Sequence, residues 1–220
     1  MSPKPPKQSR AIKTRENLMA ALERLLRERE FETISVQDIA KEAGVAVGSV
    51  YSHFKDKTAF LAALLEMWRS NVETQLELSE AQDLTALFQA YGSLSEALVD
   101  VTRQAHQQVV ENGHVLRAVH TYTRLHPDEG GDDWNALVAR SFAPFSALFD
   151  VFADEIAIKD RTQATAMLGY IFNTIFVRKA LIPQDTLLES LALEDDVLIE
   201  QVAAMIHAYL TKAATKASTS

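Results

Sequence analysis

Apolar residues recur at spacings of three and four along almost all of this 220-residue chain, and the β-branched alternation of a strand is absent. With only 7 glycines to punctuate it, such a chain must bury its apolar surface between helices, so the predicted fold class is all-α. From Ala11 to about Arg29, Ile12, Leu18, Met19, Leu22, Leu25 and Leu26 form one stripe, with Glu23, Arg24, Arg27 and Glu28 opposite. Phe31 to Thr33 interrupts this first helix. Ser35 followed by Asp38 reads as an N-cap with an acidic third residue, opening a short helix that ends at Lys41 or Glu42. Gly44, in Ala43-Gly44-Val45, suits the left-handed conformation that stops a helix and turns the chain. A third short helix follows from about Val47 to His53. Its Val50, with Phe54, should face Ile39, Ala40 and the first helix, leaving Gly48, Ser49, Ser52 and His53 nearer the open side.

Asp56 is placed to cap a long fourth helix whose buried stripe is Phe60, Leu61, Leu64, Leu65, Trp68, Val72 and Leu76. Beyond it the pattern predicts helices over about 80–103, 104–125, 133–157, 161–181 and 185–212. The loop HPDEGGDD carries Asp128, Glu129, Asp132 and Asp133 without the alternate-position ligands of an EF-hand, and reads as a solvated interhelical loop. The expected organisation is a basic flexible arm over 1–10, a helix-turn-helix domain over 11–56 continuing into a connector helix at 57–78, a helical domain over 79–213, and a disordered tail over 214–220.

The formal net charge of −8 argues, as an average, against a nucleic-acid partner. Split by position it says something else: residues 1–70 hold 12 basic and 9 acidic residues, and residues 71–220 hold 10 basic and 21 acidic. Lys4, Lys7, Arg10, Lys13 and Arg15 precede the first acid. This arm is either a solubilising tail or a phosphate-contacting one.

Other functions are narrowed by what the sequence lacks. Zero cysteines exclude disulfides, thiol catalysis and Cys-ligated zinc or iron–sulfur centres, and permit a cytoplasmic location. The longest uncharged run, Thr162 to Val177, is sixteen residues, short of the roughly 20 that span a bilayer, so no membrane partner is expected. His114, His120 and His126 are spaced by six, which turns each about 240° from the last and denies them a shared ligand face. No metal motif, phosphate-cradling glycine loop, nucleophile elbow or paired-carboxylate element is found. The chain is expected to have no cofactor and not to be an enzyme.

Two short helices around a glycine turn, with small residues at the crossing, meet the physical requirement of a helix-turn-helix whose second helix enters a major groove. The stretch from Thr14 to Leu65, and above all Ile39-Ala40, Ala43-Gly44-Val45, Gly48-Ser49-Val50-Tyr51-Ser52-His53-Phe54 and Lys57, resembles the DNA-binding domain of the tetracycline-repressor (TetR) family. The resemblance covers about residues 11–66. It implies a homodimer on double-stranded DNA whose C-terminal helical domain binds a small-molecule effector that changes the separation of the two heads.

Each matching residue also has its own physical reading. Gly48, without a side chain, lets phosphates or base edges approach the backbone, or is a packing glycine. Tyr51 can place its hydroxyl on a phosphate; His53 is a backbone donor or a polar cap. Lys57, at a helix N-terminus, combines an ammonium with free N–H groups for phosphate. Ser35 caps and can reach the backbone, and Gln37 is a candidate for phosphate or base contact. Val47, Ser49 and Ser52 offer no bidentate base reader, so Ala46 or Val47 against thymine methyls remains.

Further along, the helix predicted at 161–181 is apolar nearly all round, and the last helix has two apolar lines: Leu198, Val202, Met205 and Tyr209, then Ile199, Ala203, Ile206 and Leu210. Either these two helices form a dimer interface, as the resemblance implies, or they complete a thick core. Aromatics concentrate in the same part of the chain. Phe88, Tyr91, Tyr122, Trp134, Phe145, Phe149 and Tyr170, with His114, His120 and Asn173 as polar groups, are candidates for an effector pocket suited to an apolar or aromatic molecule, although each is also a natural core residue. The expected function is a ligand-responsive homodimeric repressor; the alternative is a sequence-tolerant DNA-binding or protein-interaction module without a sensor.

Overall fold

The structure, a computed structural model, describes residues 7–126, 140–142 and 144–212. The first residues of the arm with Lys4, the acidic loop with Trp134, and the C-terminal tail lie outside the described residues. No strand occurs among the described residues, in line with the all-α expectation. The chain divides into two compact units: Met1–Asn71 with His114–Gly130, and Val72–Gly113 with Gly131–Ser220.

The first unit contains α1 (Lys7–Glu28), a 3₁₀ turn (Phe31–Thr33), α2 (Val36–Glu42), α3 (Val47–Tyr51) and the start of α4 (Thr58–Glu80). α1 begins four residues ahead of the predicted start at Ala11, so Lys7 and Arg10 ride on a helix instead of a flexible arm. After Pro6 nothing in the sequence breaks helical geometry. The predicted capping box is present: Ser35 Oγ accepts from the Asp38 N–H at 3.1 Å, and Asp38 Oδ2 accepts from the Ser35 N–H at 2.8 Å. That hydrogen bond and the Ser35 hydroxyl hold the Asp38 carboxyl below its usual range, aided by Arg29. Gly44 takes φ +68 and makes the turn. Leu18, Leu22, Ile34, Ile39, Val50, Phe54, Phe60 and Leu64 pack into one core, and Phe54 stacks on Phe60 at 3.9 Å between ring centres. Arg24 joins Glu42 at 2.6 Å, tying α1 to α2.

In place of the helices predicted at 80–103 and 104–125 the chain forms α5 (Leu84–Gln89) and one long helix, α6 (Leu94–Leu125). Asp83 caps α5 by accepting from the Ala86 N–H at 3.0 Å. Glu155 and Ser93 then accept from the Leu94 and Glu96 N–H groups, opening α6. Nothing breaks it at residue 103, and Gly113 is carried within it at a cost of about 1 kcal/mol. Val115, Ala118, Val119 and Tyr122, spaced as one helical stripe, belong to the core of the first unit, so the C-terminal part of α6 departs from the predicted assignment to the second domain.

The second unit also holds α7 (Pro144–Val151), α8 (Arg161–Phe172), a π-helical turn (Asn173–Val177), α9 (Arg178–Leu181), α10 (Thr186–Leu191) and α11 (Asp195–Thr211). The single helix predicted at 185–212 is therefore broken, at Ala192, which takes φ +46. Phe88, Leu94, Leu98, Leu148, Phe149, Leu168, Phe176, Val202, Ile206 and Leu210 build the core. No helix among the described residues is long and apolar enough to cross a membrane.

Candidate functional site

The α2–turn–α3 segment presents its polar and small residues outward. Gln37, Ala46, Gly48, Tyr51 and Ser52 are exposed, Tyr51 at 54%. Ser35, Val47, Ser49, His53 and Lys57 are half-buried, and Val47 packs against the first unit's core, which leaves less of it for base contact than the sequence suggests. α3 is shorter than predicted, so Ser52 and His53 follow it in a turn, and the Ser52 hydroxyl donates to the Ser49 carbonyl at 2.7 Å. A Cβ at Gly48 would meet nothing within 4 Å. The packing explanation for this glycine therefore fails within the chain.

Lys57 is more engaged than its predicted role requires. Its Nζ donates to the Glu32 carbonyl at 3.0 Å and lies 4.4 Å from the centre of the Phe31 ring. Burial lowers its pKa, with the Glu32 charge opposing and Arg29 reinforcing. The neighbouring helix end is occupied as well, since Asp56 accepts from the Ala59 N–H at 2.9 Å. An ammonium has three donors, and the Glu32 carbonyl accounts for one. Exposed Lys55, which the sequence reading passed over, adds a second cation beside His53; its adjacency to Lys57 was the available signal.

The described residues proposed for an effector pocket are divided between the two units. Phe88, Phe145 and Phe149 lie buried in the second unit. Tyr122 is instead in the first unit's core, stacked on His126 at 4.4 Å. His114 is also in that unit, buried, with Nε2 3.6 Å from Glu23, and His120 is exposed. The physical reason is the stripe of α6 described above, which turns residues 115–122 into the first unit. Tyr170 is 68% exposed and Asn173 is exposed. Tyr91 lines an open groove of about 340 Å³ with Ser95, Glu96, Val99, Asp100 and Arg103. Its hydroxyl donates to Asp100, which pushes the phenol's pKa up to about 12.

Two polar residues that the sequence reading missed sit inside the second unit. Thr102 is fully buried and His106 nearly so, and neither Thr102 Oγ1 nor His106 Nε2 has a hydrogen-bond partner. The signal was present as two polar residues four apart beside the apolar line Leu98, Val101, Ala105 and Val109 of α6. Next to His106 runs a series of rings. Phe142 to Phe145, Phe145 to Phe172 and Phe172 to Phe176 stack at 6.1, 5.9 and 5.8 Å, and the His106 ring meets Phe176 edge-on at 5.3 Å.

Residues 18–64 match the family model of the bacterial regulatory proteins of the tetR family. That span contains every residue of the α2–turn–α3 surface considered above. The helix-turn-helix region of the chain is thus similar to that of the tetR-family regulators. The HTH-type transcriptional regulator AcrR of Shigella flexneri is 37% identical over 68 residues, covering 30% of this chain and 32% of that protein. The TetR match to this curated relative thus spans about a third of its length. Across the fold, a TetR-family transcriptional regulator from Mesorhizobium loti superposes with a TM-score of 0.60 at 17% identity, over 91% of this chain and 96% of that one. Bacillus subtilis FadR in complex with stearoyl-CoA gives a TM-score of 0.55 at 15% identity, over 87% and 96%. These likenesses concern the fold.

Proposed function

We propose that the chain is a transcriptional regulator that binds double-stranded operator DNA through α2 and α3 as a homodimer, and leaves it when a small apolar or aromatic molecule enters the second unit. The observation that carries the DNA reading is Gly48: an exposed glycine on a short helix, with negative φ and open space where its side chain would be, is a position kept bare for something outside the chain. Tyr51, His53 and Lys57 follow it closely in the chain and bring hydrogen-bond donors.

Exposed apolar residues on the last helices support the homodimer: Met167 and Tyr170 on α8, Val197 and Met205 on α11. A face of this kind, self-complementary about a two-fold axis, sets two heads on two half-sites. A DNA-bound regulator works where the chromosome is, in the cytoplasm. The alternative, a module without a sensor, draws on the close ring packing of the second unit, but it leaves the two unpartnered buried groups unexplained.

The test is selection of an operator from random duplexes by the full chain, followed by binding measured against salt. Tyr51→Ala should weaken operator binding without altering the melting profile. Binding that is equal for selected and random duplexes, or unaffected by Tyr51→Ala, overturns the reading.

A further inference from the structure

Thr102 and His106 lie one turn apart on α6, so their side chains share a face. Both are more than nine-tenths buried, and neither Thr102 Oγ1 nor His106 Nε2 has a hydrogen-bond partner, the nearest charge to the imidazole being Asp195 Oδ2 at 3.6 Å. Buried hydroxyls and imidazoles are normally satisfied, so an unpartnered pair on one face marks a place where a third group is expected. The His106 ring abuts Phe176, which sits in the π-helical turn Asn173–Val177, an irregularity that is frequent at functional sites. The ring series extends from there through Phe172 and Phe145 to Phe142. Phe142 itself approaches Gly169 so closely that a Cβ would stand 2.8 Å from Cε2. A series of aromatic rings therefore leads to His106, one helical turn from Thr102.

The surrounding charges decide what that third group can be. Asp195 Oδ2 is 3.6 Å from His106 Nε2, and a second anion there would be repelled. The nearby cations are committed, Lys179 to Asp195 and Arg103 to Asp196. Burial lowers the pKa of His106, opposed by Asp195 and Asp196 and reinforced by Lys179, which favours a neutral ring. A threonine hydroxyl and a neutral imidazole complement a hydroxyl or a carbonyl. Resting on the reading of the second unit as a sensor, we propose that Thr102 Oγ1 and His106 Nε2 hold the single hydrogen-bonding group of an uncharged, flat aromatic ligand whose rings lie along Phe176, Phe172 and Phe145.

The test titrates the full-length chain by calorimetry with 2-naphthol, naphthalene and 2-naphthoate at neutral pH. One 2-naphthol should bind per chain, at least tenfold more tightly than either of the others. Thr102→Val and His106→Leu should each weaken 2-naphthol about tenfold or more and leave naphthalene within twofold, while His106→Gln retains most of the affinity; circular dichroism and melting verify that each variant is folded. Tighter binding of 2-naphthoate, unchanged 2-naphthol binding in both folded variants, or no binding of any probe to the parent chain overturns the site. Operator binding, measured on the same preparation, separates the two ideas. Operator binding without 2-naphthol binding removes only this site, and the reverse removes only the regulator.

Discussion

Gly48→Ala separates folding from DNA recognition because the structure gives the two effects opposite signs. The residue is exposed, has negative φ, and offers an added methyl nothing within 4 Å. Replacing glycine by alanine within a helix gains about 1 kcal/mol at an interior position, chiefly by restricting the unfolded chain. In the first turn of the five-residue α3, about half of that is the reasonable share. The melting temperature should then rise by about 1–4 °C, the lower end if the head melts with the rest and the upper if it melts alone.

On the operator the same methyl occupies the space through which a phosphate or base edge approaches. Lengthening one hydrogen bond to a charged phosphate by the width of a methyl costs about 1.5–3 kcal/mol, or roughly 10- to 150-fold in affinity per head. The salt dependence should not change, since no charge is removed. The assay is anisotropy of a labelled selected operator against salt, beside calorimetric melting of the free protein. Affinity within twofold of the parent chain would refute the reasoning that the glycine is kept for an outside partner, and a lowered melting temperature would refute the claim that its surroundings are open.

Lys57→Ala provides the contrast: the slope of log affinity against log salt should shrink by about 0.9 per head, along with a modest loss of stability from the Glu32 and Phe31 contacts. An unchanged slope with lowered stability would assign Lys57 to the fold alone. Gly169→Ala should destabilise by about 1–3 kcal/mol, because its Cβ would press on the Phe142 ring, and an unchanged denaturation midpoint contradicts that contact. His114 is held below its ordinary pKa, first by burial and then by Arg27. Above pH 6.5 neither folded nor unfolded chain protonates it; as pH falls below that, the unfolded chain takes up a proton that the folded chain resists, so stability is lost until the folded pKa is reached. His114→Leu should flatten the fall in urea midpoint between pH 7 and 5, and an undiminished fall would show that other groups cause it.

The first unit was legible because its signals are local. Ser35 and Asp38 cap each other three residues apart, Gly44 turns the chain by itself, and Val50 and Phe54 follow from a single helical face. The second unit depends on longer-range choices. A break at Ala192 without glycine or proline, and a helix start at Leu94 capped by Glu155 from a distant segment, leave little trace in a window of neighbouring residues. The aromatic candidates show the same limit. Periodicity tells that Phe145, Tyr122 and Tyr170 occupy helices, but only packing tells that the first faces the second unit's core, the second faces the first unit's core and the third faces outward. The second engagement of Lys57 was hidden for a related reason: its partner is a backbone carbonyl 25 residues away, and backbone groups are invisible in residue identity.

The charge split gains a mechanism from the ion pairs. In the second unit Arg103, Arg140, Arg161, Arg178 and Lys179 each sit on a carboxylate. Most of the cations described in that unit are thereby spent internally, so the excess of acids is what solvent meets. At physiological salt such a field acts over about 8 Å, enough to discourage phosphate from lying against that unit. Single surface pairs contribute little to stability, and their more consequential effect here is on where the chain can be positively charged. On the function proposed above, a polyanion then has the first unit as its place to bind, with Lys13, Lys41 and Lys55 exposed there, and the acidic average of the whole sequence would serve to orient the chain on DNA.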